Sequence, residues 1–97
     1  MITLTFIKRF PEEDEYRIMR DDKLMNNPVI IVSHLANNIS FEGFIDAWIN
    51  YTPEEINEIL YLVDTCVIPK YEGYKILHND MLGNSLYWRW KKDNGGI

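Results

Sequence analysis

His34, His78, Asp80 and Cys66 are the side chains whose types could serve acid–base, metal or nucleophilic chemistry. His78 and Asp80 stand two apart in a turn-like stretch and His34 is remote from both, so no metal-ligand spacing is met. One cysteine gives neither an internal disulfide nor the thiolates of a structural zinc site. Cys66 falls three positions after Val63 on an amphipathic stretch, which predicts a packed, inert thiol. Gly43, Gly73, Gly83, Gly95 and Gly96 match neither phosphate-cradling fingerprint, and the G-x-S-x-G nucleophile turn is absent. The expectation is a protein that is not an enzyme and needs no cofactor or metal.

The remaining chemistry is electrostatic. No lysine or arginine occurs between Lys23 and Lys70, while Glu42, Asp46, Glu54, Glu55, Glu58 and Asp64 fall inside that stretch. Segregated charge produces a field that steers a partner of opposite sign, whereas mixed charges cancel beyond a Debye length of about 10 Å. Glu42 and Asp46 are four apart, as are Glu54 and Glu58. Like charges at that spacing cost a helix about 0.2 to 0.5 kcal/mol per pair, partly offset for first-turn carboxylates by the helix dipole. A solvated face that keeps a small protein soluble accounts for such a pattern. So does a surface that imitates the spaced charges of a phosphate backbone, with Tyr61 as an aromatic contact beside Glu54 and Glu58.

The elements that would position these groups follow from periodicity. Residues 2–20 alternate apolar and polar side chains around Pro11, which predicts an antiparallel hairpin. Residues 28–36 carry two readings. Val29 to Val32 form a β-branched run suited to a buried strand, but Asn27 and Pro28 can start a helix and Asn37 and Asn38 can end one, which tips the reading to helix. Ser40 reads as the cap of a helix through Phe41, Phe44, Ile45 and Trp48, with Ile39 as staple. Thr52, Pro53 and Glu55 form a complete capping box for the next helix, whose inward stripe is Ile56, Ile59, Leu60, Val63 and Val67 before Pro69. Residues 74–78 and 85–91 read as extended, with Leu86, Trp88 and Trp90 on one face and Tyr87, Arg89 and Lys91 on the other.

Together these predict an α+β fold. A small antiparallel sheet of about four strands, an N-terminal hairpin plus a C-terminal hairpin, is packed on one face by two or three central helices. The length fits one domain over residues 1–92, with 93–97 as a flexible tail. No run approaches the ~18 apolar residues that span a bilayer, and the first ten residues lack the pattern of a secretion signal, so a cytoplasmic protein with no membrane partner is expected.

The net charge of −5 disfavours loose nucleic-acid binding by the whole molecule. A basic and aromatic sheet face of Arg9, Arg17, Tyr87, Arg89 and Lys91 supplies the alternative of a small nucleic-acid-binding module. Trp48, Trp88 and Trp90 fit the apolar stripes better than a ligand cage. In size, acidity and abundance of Asn, Ile and Tyr, the chain resembles in general character small phage-encoded proteins that block host defence, anti-CRISPR proteins among them, or host nucleic-acid enzymes. That likeness covers no defined segment and carries no residue over. The leading expectation is a non-enzymatic inhibitor or adaptor whose acidic helical surface, Glu42, Asp46, Glu54, Glu58 and Tyr61, occupies a basic surface on a host protein. A homodimer subunit is the further alternative.

Overall fold

The structure is a computed structural model that describes residues 1–43, 50–77 and 82–94. The alternating N-terminal segment forms β1 (Ile2–Phe10) and β2 (Glu13–Arg20), paired antiparallel with Leu4 opposite Ile18 and Phe6 opposite Tyr16. Asp21 and Asp22 both take positive φ, 50° and 69°, the geometry of the two-residue turn whose twist matches a hairpin. That turn opens β3 (Lys23–Ser33), which pairs with β2 and then with β4 (Asn38–Glu42).

Residues 28–36 are thus strand over most of their length, not helix, and the segment capped by Ser40 is strand through Glu42. The β-branched run decides the matter, because Ile30 and Val32 are fully buried between Tyr16 and Asp14 on β2 and Phe41 and Ile39 on β4. Asn37 takes the left-handed conformation expected at a helix end, φ 53°, but uses it to close the turn into β4. Pro28 lies where the β2–β3 register shifts, between the Arg17–Val29 and Met19–Leu24 pairs, a place that tolerates a missing N–H.

The capping box forms as expected at α1 (Pro53–Leu62). The Glu55 amide donates to Thr52 Oγ1 at 3.1 Å, and the Thr52 amide donates to Glu55 Oε1 at 2.9 Å. The helix does not stop before Pro69. It widens into a π turn over Val63–Val67 and tightens into a 3-10 turn over Ile68–Lys70, so the proline falls where the α-helical ladder has already ended. A π turn advances less per residue than an α-helix, which keeps Val67 over Val63 in the core and swings Cys66 outward. The thiol is exposed, correcting the expectation of a buried one.

The chain returns through β5 (Lys75–Ile76), which pairs parallel with β4, and ends in α2 (Leu82–Asp93). Residues 85–91 are helix where a strand was expected. Their apolar side chains satisfy both periods, and the helical one wins because it places Tyr87 flat on Phe41, ring centroids 5.0 Å apart. The fold is α+β, with a mixed five-stranded sheet in the order β1-β2-β3-β4-β5. The expected four-stranded sheet under two or three central helices is corrected on two counts: the sheet is larger, and one of its helices is the C-terminal segment. One apolar cluster joins Ile2 and Leu4 of β1, Tyr16 and Ile18 of β2, Ile30 and Val32 of β3 and Ile39 and Phe41 of β4 to Ile56, Ile59, Leu60, Val63, Val67 and Tyr87.

Candidate functional site

The outward face of α1 carries two of the expected acidic residues and the expected aromatic one. With Ile56, Ile59 and Leu60 turned into the core, helical spacing carries Glu54, Glu58 and Tyr61 to the opposite side, and Tyr61 is 55% exposed. Neither Glu54 nor Glu58 makes an ion pair with another described residue. Their neighbour Glu55 is committed to structure. It receives the Thr52 amide and the Arg20 guanidinium, with Arg20 Nη2 at 2.9 Å and Nε at 3.1 Å, and Arg20 lies over the Tyr51 ring 4.6 Å from its centre and bonds the Asn50 carbonyl. The Thr52 amide, joined by Arg20, holds the Glu55 carboxyl below its ordinary value against the opposing effect of burial.

The wider acidic surface is not assembled among the described residues. Glu42 is exposed on β4, but beside inward-facing Phe41 it must point to the sheet face away from α1. Asp46 lies outside the described residues. Asp64 is internally matched, accepting from Tyr87 Oη at 2.7 Å and from Lys91 Nζ at 2.9 and 3.1 Å.

The basic sheet platform is not assembled either. Tyr87 is 1% exposed, and burial together with its bond to Asp64 raises its pKa. Lys91 is held by Asp64, Arg17 by Glu15, and Arg89 is exposed on α2 rather than on the sheet. Arg9 lies in β1 at the β-bulge opposite β2. Trp88 and Trp90 pack against the core and donate to the Leu77 carbonyl at 3.1 Å and to Asn57 Oδ1 at 2.6 Å.

Sequence reasoning missed a polar network at the other end of the sheet. Asp14, 6% exposed, accepts from Tyr71 Oη at 2.7 Å and from His34 Nε2 at 3.0 Å. The second His34 nitrogen meets Tyr74 Oη at 2.7 Å, and Tyr16 Oη meets Tyr71 Oη at 2.9 Å. Burial alone would raise the Asp14 pKa, but the Tyr71 and His34 donors, with Lys8 Nζ 3.6 Å from Oδ1, hold it below the usual value. Burial and the bonds to Tyr16 and Asp14 raise that of Tyr71. Every ring group here is already engaged, so the network clamps residues 71–74 to β2 and the β3–β4 turn and leaves no free nucleophile. One signal was present: Asp14 shares the inward parity of Tyr16 and Ile18, and an inward acid must find donors.

His78 and Asp80, the other candidates for acid–base chemistry, lie outside the described residues. Among the described residues no three His, Cys, Asp or Glu side chains converge as metal ligands, and no helix is long and apolar enough to cross a membrane. Comparison with known proteins finds no matching family model, no similar curated protein and no similar solved structure.

Proposed function

We propose that this protein is a small non-enzymatic binding module that offers the outward face of α1 to a basic surface on a host protein, in the manner of a phage-type inhibitor of a defence or nucleic-acid enzyme. The observation that carries the reading is the placement of Glu54, Glu58 and Tyr61 on the side of α1 away from its buried stripe, with neither glutamate in an ion pair with another described residue. The neighbouring Glu55 is paired, so the unpaired state of Glu54 and Glu58 is a property of this face and not of the helix as a whole. Unpaired carboxylates raise the rate of encounter with a cationic groove, and an exposed tyrosine contributes contact area at small entropic cost.

Capture from a cell lysate tests it, with nuclease added to remove contacts bridged by nucleic acid. Wild-type protein retains one basic partner, and the Glu54→Lys/Glu58→Lys variant loses it while its own unfolding transition stays within about 0.5 kcal/mol, as expected of a surface change. Unchanged capture by that variant refutes the assignment.

A further inference from the structure

The open edge of the sheet carries a second surface. β1 is the terminal strand, hydrogen-bonded on one side only among the described residues, and its nine residues span about 30 Å. Such an edge is a template for another strand unless it is blocked. β1 has no proline, and Phe6, on its inward side, is 51% exposed. α1 and its continuation run alongside in the same direction. Glu55 is held by Arg20, the partner of Ile2; Leu62 and Cys66 stand over Leu4 and Phe6, lining a groove of about 260 Å³; and Lys70 lies over Tyr16, the partner of Phe6.

We infer that β1 and the adjacent flank of α1 form a self-complementary interface, and that the occupant is a second copy of this chain. A two-fold axis at Thr5 sets β1 antiparallel to its copy, Ile2 facing Lys8 and Leu4 facing Phe6. Thr5 sits between Leu4 and Phe6, which line the groove together with Leu62 and Cys66, so the same axis brings Leu62 toward Cys66 of the second copy. Because α1 sits over the β1–β2 pair and strands are about 4.8 Å apart, the two helices come to lie about 10 Å apart, the spacing of packed helices.

The charges agree with this arrangement. Lys8, 59% exposed, and Lys70 mark one end of the edge, while Glu58 and the first turn of α1 mark the other, where the Met1 ammonium is held by Asp21. Antiparallel docking therefore sets Lys70 of each copy against Glu58 of the other, and the contact is isologous and closed, which disposes of the edge without open-ended growth. Glu54 and Tyr61 stay on the outer surface while Glu58 is shared with the face offered to the host protein, so Lys70→Glu, which touches none of the three, is the reversal that separates this interface from that reading.

Sedimentation velocity on the full chain over a concentration series reads the association. A monomer–dimer equilibrium that weakens with added salt is expected. Lys70→Glu and Glu58→Lys each raise the dissociation constant about thirtyfold, because symmetry turns two attractive pairs into two repulsive ones, and the two changes combined restore it. Hydrogen exchange at the β1 amides slows as concentration rises. A chain that stays monomeric, a dimer indifferent to both reversals, or a monomeric edge that accepts only an added foreign peptide each overturns the inference. Lys70→Glu leaves the Glu54 and Tyr61 face intact, so its effect on self-association is separable from capture of a host protein.

Discussion

Replacing Asp14 by alanine removes the acceptor on which the network converges. Two bonds are lost, from Tyr71 Oη at 2.7 Å and His34 Nε2 at 3.0 Å. Hydrogen bonds to a charged group contribute about 1.5 to 3 kcal/mol each. Water can reach the half-exposed His34, and Tyr71 keeps its bond to Tyr16, so the sum reduces to about 2 to 4 kcal/mol. Lys8 adds little, being largely solvated. In a domain of this size the loss lowers the melting temperature by about 10 to 20 °C, read by circular dichroism or tryptophan fluorescence.

Acid provides an independent arm. The folded Asp14 carboxyl titrates below the ordinary value of 3.8, so its stabilisation is complete above that value and is lost as pH falls through the depressed folded pKa. The stability gap between wild type and Asp14→Asn should close as pH falls below 3.8 through the depressed folded value. A change below about 0.5 kcal/mol for Asp14→Ala, or a gap indifferent to acid, would refute the network as a clamp.

Three further outcomes follow from the same geometry. Thr52→Ala removes one half of the capping box and costs about 1 kcal/mol in urea unfolding, while Glu54→Gln one position from Glu55 costs almost nothing. Ile30→Ala, at a fully buried site in the middle of the sheet, costs about 2 to 5 kcal/mol, which a chemical denaturation midpoint will show. Cys66, exposed by the π turn, reacts with a thiol-alkylating reagent in dilute native solution at a rate close to that in denaturant. A thiol protected until unfolding would contradict the outward rotation of that turn.

The sequence alone determined what rests on local interactions. The N-terminal hairpin is written in the alternation on either side of Pro11, and α1 begins where Thr52, Pro53 and Glu55 satisfy its free amides, because a cap needs only residues three apart. The outward placement of Glu54, Glu58 and Tyr61 follows from that start and from helical periodicity. Tertiary structure decided the segments whose local signals were degenerate. Val29 to Val32 became strand because β2 and β4 enclose them, and residues 85–91 became helix because that form lays Tyr87 on Phe41 and reaches Asp64. It likewise set Glu42 on the sheet face away from α1, and it brought Asp14, His34, Tyr71 and Tyr74 together across gaps that no local spacing encodes. Long-range burial outweighs propensity at such positions, since differences of a few tenths of a kcal/mol per residue are small beside the burial of one large side chain.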